Sequence, residues 1–151
     1  MIISKCPLRV SLAGGSTDLI EFVDTYGYGS VISFPIDVYT YISLSLPSNN
    51  SYRINYSETE EVQDVNLIKN DIAREVIKYF NLPPVTVVFN SDIPTSGSGL
   101  ATSSSYTISF ISAVDKLLNL NLSQFDICKL ALEIEHRFNP LTGYQDTYGC
   151  G

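Results

Sequence analysis

The sequence predicts a single α+β domain, because strand patterns come mainly early in the chain and helical patterns mainly late. Its 151 residues are enough for one ordinary domain around one hydrophobic core. No internal repeat, low-complexity tract or flexible linker divides the sequence. We therefore expect one domain over residues 1–151.

The first strands are predicted by apolar and β-branched stretches. Residues 1–12, MIISKCPLRVSL, lead directly into the glycine turn AGGSTDL. Residues 29–46 contain an alternation whose apolar face consists of Ile36, Val38, Thr40, Ile42 and Leu44. This alternation indicates a half-buried antiparallel sheet, and SYRINY after the turn PSNN predicts a further short strand.

An amphipathic helix and another strand are expected next. Residues 64–80 place apolar side chains three and four positions apart, at Val65, Ile68, Ile72, Val76 and Tyr79. This helix should stop before Pro83 and Pro84, after which VTVVFN predicts a compact strand.

Two helices are predicted in the last third of the chain. The first extends from about Thr102 to Leu118. Ser123 and Asp126 have the spacing of a capping box for the second, which should end at Asn139-Pro140. Its buried stripe is predicted to be Leu130, Ile134 and Phe138.

Composition excludes several kinds of partner. The sequence has 9 Lys and Arg against 16 Asp and Glu, a net charge of −7, which disfavours a nucleic acid. No apolar run is long enough for a signal peptide or a membrane span, so we expect a cytoplasmic protein without a membrane partner. Cys6, Cys128 and Cys150 fit neither a disulfide framework nor a zinc site and are expected to be reduced.

The stretch PTSGSGLATSSS, Pro94 to Ser105, has the composition of a phosphate-binding loop. Gly97 and Gly99 permit backbone angles that other residues avoid. Thr102, Ser103 and Ser104 fall at the start of a helix, where free N–H groups favour an anion. The loop lacks the Walker A pattern and the third glycine of GxGxxG. A flexible turn with an ordinary Ser/Thr cap has the same spacing, so the loop alone leaves both interpretations open.

Three motifs together resemble the GHMP kinase superfamily of galactokinase, homoserine kinase, mevalonate kinase and phosphomevalonate kinase. CPLRVSLAGGSTDL resembles its opening motif, Pro-x-Arg-x-x-x-x-Gly followed by Thr-Asp, and SGSGLATSSS resembles its second, glycine-rich motif. In EHRFNPLTGYQDTYGCG, Glu135 is predicted at a helix end and Asp146 in a glycine-flanked loop, and the two are eleven residues apart, as in the family. The AGGSTDL form most resembles the sugar-1-kinase branch, which contains heptose 7-phosphate and fucose kinases.

The resemblance implies a fold and an activity. The fold would be the ribosomal protein S5 domain 2-like fold, here the ATP-binding N-terminal domain of a kinase whose C-terminal domain is absent. The activity would be ATP- and Mg²⁺-dependent phosphorylation of the anomeric hydroxyl of a heptose 7-phosphate, in nucleotide-activated heptose biosynthesis. The alternatives are a fucose-type or other sugar kinase, or a truncated, non-catalytic sugar- or nucleotide-binding module. Expected partners are a small-molecule sugar phosphate and a missing C-terminal domain, a partner half or a second copy.

The resemblance also gives roles to residues. Asp146 would be the catalytic aspartate, assisted by Arg9, and Ser103 and Glu135 would hold magnesium. The nucleotide-binding residues would be Pro94, Ser96, Gly97, Ser98, Gly99, Leu100, Ala101, Thr102, Ser103 and Ser104. The substrate-binding residues would be Gly14, Gly15, Thr17, Asp18, Gly143 and Gln145.

Each role has a structural alternative. Asp146 could cap a turn, Arg9 could form a structural ion pair, and Asp18 could cap a helix over LIEFVDTYG. Glu135 could be an exposed helix residue, with Glu133 as its competitor for the metal. Four tyrosines could line a pocket or belong to the core: Tyr39, Tyr41, Tyr52 and Tyr56. His136 is predicted to be a helix-end residue. The sequence departs from the family pattern at Ala101, Thr102, Tyr144 and Thr147.

Overall fold

A computed structural model describes residues 1–47, 49–94 and 97–151 and confirms the α+β class. The strands of its sheet are β1 (Ile2–Ala13), β2 (Ile32–Ser45), β3 (Tyr52–Asn55), β4 (Thr59–Val62) and β5 (Thr86–Ser91). The helices are α1 (Ile20–Tyr26), α2 (Asp71–Tyr79), α3 (Thr102–Leu118), α4 (Gln124–Glu135) and α5 (Tyr144–Cys150), with a 3-10 turn at Val65–Leu67.

The sheet has the strand order β1-β2-β5-β3-β4. Neighbouring strands pair in antiparallel orientation, except β3 and β5, which are parallel. The predicted alternation of β2 is confirmed where Thr40, Ile42 and Leu44 are buried, while Ile36 and Val38 are only half-buried. The buried face of the sheet packs against α3, whose Phe110 and neighbours are fully enclosed. This face therefore supplies the hydrophobic core.

The pairing of β1 with β2 becomes irregular toward the end of β1. Its register shifts between Pro7 and Arg9 and again between Ser11 and Ala13. Pro35 lies opposite Arg9 and has no N–H to donate to the ladder. Such irregularities bend a strand and redirect its side chains. The end of β1 is consequently free to turn Arg9 and Ser11 toward other parts of the chain.

Two helices begin where the sequence predicts. α3 covers Thr102–Leu118 as expected. The capping box of α4 is formed by Ser123 and Asp126, each of which binds the other's backbone N–H. α4 ends at Glu135, four residues before Asn139, and His136 is its C-cap. Its fully buried stripe includes Ile127, Ala131 and Ile134, and the predicted Leu130 and Phe138 are only partly buried against it.

The single helix predicted over residues 64–80 is wrong. The chain forms a 3-10 turn at Val65–Leu67, then becomes extended, and α2 begins only at Asp71. Asn70 caps α2 by accepting a hydrogen bond from the N–H of Ala73 at 2.9 Å. The carboxylate of Glu60 accepts the N–H groups of Lys69 and Asn70, at 2.6 and 3.0 Å. These contacts satisfy the backbone where the helix would otherwise continue.

The cysteines are free thiols, as predicted, and all three are buried. Burial raises the pKa of the Cys6 thiol to about 12. Within the described ranges, no helix combines the length and the apolarity needed to cross a bilayer.

Candidate active site

The site is built around Arg9, which joins three segments of the chain. Its N–H donates to the carbonyl of Leu100 at 3.2 Å, and its Nη1 donates to the carbonyl of Gly99 at 2.9 Å. Its Nη2 pairs with Oδ1 of Asp146 at 2.5 Å. Arg9 is only 6% exposed, and its Nε has no hydrogen-bond partner among the described residues. The end of β1 thus holds the glycine loop and α5 together.

Asp146 lies in the first turn of α5 and not in a loop, which corrects the sequence expectation. Its side chain is 27% exposed, so one face of the carboxylate remains open to solvent while the other binds Arg9. An ion pair at the surface would contribute little, but here the arginine is almost fully enclosed. The arrangement fixes the direction in which Asp146 points.

The glycine loop has the left-handed backbone that its composition predicts. Gly97 and Gly99 have φ of 69° and 67°, and Ala101, directly before α3, has φ of 59°. The hydroxyls of Ser98 and Thr102 lie 3.0 Å apart and link the loop to the first turn of α3. Pro94 precedes the loop, and Ser96 lies outside the described residues. The loop therefore leads into the N–H groups of a 17-residue helix, where an anion is favoured.

Glu135, the last residue of α4, is completely buried against the first turns of α3. Its Oε1 accepts from Ser103 at 2.8 Å and from Thr107 at 3.4 Å, and its Oε2 accepts from Ser104 at 2.7 Å. Burial raises the pKa of the Glu135 carboxyl, the charge of Asp146 raises it further, and the hydroxyl donors oppose both effects. Glu133 is exposed and lies 3.6 Å from Arg137. The structure thus brings Glu135, and not Glu133, to Ser103.

The oxygen atoms of Ser103 and Glu135 fit a magnesium ion that also binds a nucleotide. Ser103 is exposed, and its hydroxyl and the adjacent carboxylate oxygen are the hard ligands that Mg²⁺ takes. Nowhere in ranges 1–47, 49–94 and 97–151 do three His, Cys, Asp or Glu side chains form a group that could hold a metal ion. Ser103 and Glu135 would supply two oxygen ligands, and phosphate oxygens and water would suit the remaining positions of such an ion.

Asp18 connects the glycine turn after β1 to the start of α5. It is 8% exposed, and its Oδ2 accepts the backbone N–H of Gln145 at 2.7 Å. Asp18 does not cap α1, which begins after Leu19 without a side-chain cap. A side chain at Gly143 would collide with the Asp18 carboxylate, so glycine is needed there. Oδ1 of Asp18 is buried and has no hydrogen-bond partner within the described ranges.

The remaining predicted substrate residues form the glycine turn itself. The hydroxyl of Thr17 donates to the carbonyl of Gly14 at 2.7 Å and accepts the N–H of Ser30 at 3.1 Å. Gly14 has φ of 87°, which favours glycine. Gly15 faces the side-chain amide of Gln145. Thr17 and Gly14 therefore shape the turn that presents Asp18.

Other candidates lie elsewhere. Tyr52 and Tyr56 pack against the core, and the hydroxyl of Tyr52 donates to the carbonyl of Leu82. Tyr56 also lines a cavity, so both interpretations apply to it. The rings of Tyr39 and Tyr41 lie beside each other on β2, with the ammonium of Lys5 over Tyr39. His136 follows α4 as its C-cap and bonds through Nε2 to the carbonyl of Thr142, which confirms the predicted helix-end position.

Two polar residues of the site were missed by the sequence analysis. Thr107 contacts Glu135, and its position one turn after Ser103 was the available signal. Ser11 donates to the side chain of Gln145 at 2.9 Å. Ser11 follows Arg9 by two residues, and side chains two apart on a strand face the same side.

Comparison with known proteins places the chain among kinases. The family model described as GHMP kinases N terminal domain matches residues 66–151. A D-glycero-alpha-D-manno-heptose 7-phosphate kinase of Campylobacter jejuni is 35% identical, over 97% of this chain and 47% of that protein. A galactokinase of Thermosipho africanus is 31% identical, over 89% of this chain and 38% of that protein.

The fold is shared with solved structures. The crystal structure of a D-glycero-D-manno-heptose 1-phosphate kinase from Bacteroides thetaiotaomicron superimposes with a TM-score of 0.81 at 25% identity. The match covers 98% of this chain and 52% of that structure. The chain spans about half the length of the relatives it matches, or less.

Proposed function

The chain belongs to the GHMP kinase family, and from this membership we propose that it is the ATP-binding half of a sugar kinase. The reaction would transfer the γ-phosphoryl group of ATP to a hydroxyl of a sugar phosphate. The observation that carries the proposal is the contact of Arg9 with both the carbonyl of Gly99 and the carboxylate of Asp146. It supports the proposal because a carboxylate, a guanidinium group and the glycine loop lie next to one another, as phosphoryl transfer requires of a base, a positive charge and a phosphate-binding loop.

Each part of the site has a proposed task. The half-exposed carboxylate of Asp146 would accept a hydrogen bond from the attacking sugar hydroxyl and take its proton. Arg9 would hold Asp146 in that orientation and favour negative charge developing nearby. The free N–H groups at the start of α3 would bind phosphate oxygens. Bound Mg-ATP would supply the phosphoryl group and neutralise its charge.

The ion would be held by Ser103 and Glu135. Their oxygens lie 2.8 Å apart, so an ion bound to the Glu135 carboxylate can also reach the Ser103 hydroxyl. Ser104 donates to the other carboxylate oxygen and would keep Glu135 in place. Glu135 would bind the metal in its ionised form, since a carboxylate ligand must be deprotonated.

The proposed acceptor is the anomeric hydroxyl of D-glycero-D-manno-heptose 7-phosphate, in nucleotide-activated heptose biosynthesis. The AGGSTDL motif and the name of the Campylobacter jejuni relative support this choice. A fucose-type or other sugar kinase is the alternative, since a galactokinase is also a relative. The proposed substrate contacts are Asp18, Gln145 and the glycines around them. A second domain, a partner half or another copy would complete the site, and a cytoplasmic location stays a prediction.

The test is transfer of phosphate by the full-length gene product. ADP release from Mg-ATP is measured with heptose 7-phosphate, mannose and fucose, for wild type and for Asp146→Asn. We expect one sugar to be turned over and Asp146→Asn to lower kcat at least about 100-fold, with ATP binding retained. Asp71→Asn, on α2, is the matched control and should leave kcat unchanged.

Two results would contradict the proposal. Equal turnover by wild type and Asp146→Asn would remove the catalytic role of that aspartate. Nucleotide binding without transfer to any sugar would favour the non-catalytic sugar- or nucleotide-binding module.

A further inference from the structure

Gln145 is held at two points by residues from the other end of the chain. Its backbone N–H donates to Oδ2 of Asp18 at 2.7 Å. Its side-chain Oε1 accepts the hydroxyl of Ser11 at 2.9 Å. These contacts span 127 and 134 residues of sequence, so they form only when β1 and α5 have come together.

The hydrogen bond from Ser11 decides which half of the Gln145 amide remains available. Oε1 accepts the Ser11 hydroxyl, whereas the NH₂ group, which can only donate, makes no hydrogen bond with the described residues. Nε2 lies on the side of Gly15, about 3.4 Å from where a Cβ at that position would be. Because Gly15 has no side chain and is exposed, the amide is not covered from that direction.

Asp18, which holds the backbone of Gln145, also has an unused acceptor. Asp18 is 8% exposed, and its Oδ1 has no hydrogen-bond partner within the described part of the chain, while Oδ2 holds the backbone of Gln145. A buried carboxylate oxygen without a donor costs free energy, which a ligand hydroxyl would recover. Asp18 and Gln145 thus offer one unused acceptor and one donor, which suits hydroxyl groups, since a hydroxyl can both donate and accept.

We propose that Ser11 is a positioning residue for sugar binding. By accepting the Ser11 hydroxyl, Oε1 is held in place, and the Gln145 NH₂ group is turned toward the open side at Gly15, where it donates to one hydroxyl of the substrate, while Oδ1 of Asp18 accepts another. This role rests on the proposed function and deepens it, because it says which polyol feature the site recognises. Without Ser11 the amide is free to rotate, and its carbonyl can take the position of its NH₂ group, so that an acceptor replaces the donor offered to the sugar.

The experiment compares four variants of the full-length protein: Ser11→Ala, Ser11→Thr, Gln145→Glu and Ser33→Ala. Ser33 lies opposite Ser11 in the β1–β2 register and is the matched control. The dissociation constant of D-glycero-D-manno-heptose 7-phosphate is measured by calorimetry without ATP, and KM is measured for the sugar and for ATP. Melting temperatures check that each variant is folded.

Ser11→Ala should weaken sugar binding and raise the sugar KM about three- to tenfold, with the KM for ATP unchanged. Ser11→Thr should retain the wild-type sugar affinity and sugar KM, since threonine keeps the hydroxyl. Ser33→Ala should resemble wild type. Gln145→Glu, which replaces the NH₂ donor with a second acceptor, should weaken sugar binding more than Ser11→Ala does. If Ser11→Ala does not fold, Ser11→Thr and Gln145→Glu carry the test.

The failures are distinguishable. Sugar binding by Ser11→Ala equal to wild type, or an equal loss in Ser33→Ala, overturns the role of Ser11 while the kinase proposal stands. An equal rise of both KM values shows a general disturbance of the site and also overturns it. Wild-type protein that binds and phosphorylates no sugar overturns the proposed function, and the role of Ser11 with it.

Discussion

Glu135 shows how one buried residue can serve both the domain and a ligand site. Its two carboxylate oxygens accept hydroxyls from Ser103, Ser104 and Thr107, and the residue is completely buried. A buried carboxylate is tolerated when it is hydrogen-bonded, and three donors from one helix provide this. The same contacts attach the end of α4 to the start of α3. A side chain proposed to hold the metal is therefore also part of the packing between two helices.

The raised pKa of Glu135 predicts a pH dependence of stability. Its ordinary value is 4.5, and burial raises the pKa in the folded protein. The folded state therefore binds this proton more tightly than the unfolded state, and ionising it costs stability. As the pH rises from about 4.5 through the raised pKa, wild type should lose stability relative to Glu135→Gln. Urea unfolding in metal-free buffer across this range measures the difference.

The control for this measurement is Glu133→Gln, on the same helix. Glu133 is 54% exposed, and its one ion pair with the described residues is with Arg137. Its replacement should change the free energy of unfolding by no more than about 0.5 kcal/mol. A constant difference between wild type and Glu135→Gln at every pH would contradict the expectation.

At the scale of elements, α3 begins with a residue in an unfavourable conformation. Ala101 precedes Thr102 with φ of 59° and ψ of 40°, in the left-handed region. A side chain with a Cβ is disfavoured there by about 1–2 kcal/mol, and glycine is not. The resemblance places glycine at this position in the family. The carbonyl of Ala101 still accepts the N–H of Ser105 at 3.0 Å, so the helix starts normally despite the strain.

Ala101→Gly should therefore stabilise the domain, by about 1 kcal/mol after allowing for the greater freedom of glycine in the unfolded chain. Ala113→Gly is the matched control, because Ala113 is buried within α3, where glycine is unfavourable. It should destabilise the domain by about 1 kcal/mol or more. Thermal and urea unfolding give both values. A loss of stability in Ala101→Gly as well would show that its methyl group matters more than its backbone angle.

Elements were predictable where local signals agreed and were missed where distant contacts decide. α3 follows a glycine loop and has a continuous helical pattern, so its bounds were predicted. The 64–80 segment has helical spacing throughout, yet Glu60 binds the N–H groups of Lys69 and Asn70 and ends the pattern. β4, Thr59–Val62, is four residues long and mostly polar, so no alternation marks it. These departures reflect tertiary contacts that override local preference.

The site followed the same rule. Most residues of the site could be predicted from the sequence, because the glycine, hydroxyl and carboxylate residues have the spacing of the family motifs. The sequence predicts a loop where α5 lies, because this helix is only seven residues long and contains glycine, threonine and tyrosine, which are weak helix formers. Its first turn is held by Asp18, 127 residues earlier in the chain. No local pattern reveals that contact, and so the buried position of Asp18 and the role of Ser11 required the structure.

At the scale of the whole molecule, the site depends on the complete fold of the domain. Arg9 contacts Gly99 and Asp146, which are 90 and 137 residues away in sequence. Both ends of the chain therefore meet at one place. Unfolding of either end would separate the glycine loop from Asp146. The relatives nevertheless have about twice the length of this chain. We propose that a second half completes the site.

If a second half completes the site, the 151-residue domain should bind Mg-ATP but transfer its phosphoryl group slowly. Phosphoryl transfer depends mainly on positioning and exclusion of water, so one half of a cleft should lose most of the rate. We expect the 151-residue domain to be stabilised by Mg-ATP in thermal unfolding, since α3 and Glu135 lie within it. Its kcat should be at least about 100-fold below that of a form extended to the length of its relatives. Comparable turnover by both forms would show that this domain alone contains a complete catalytic site, and the extended Asp146→Asn variant provides the inactive baseline against which both rates are measured.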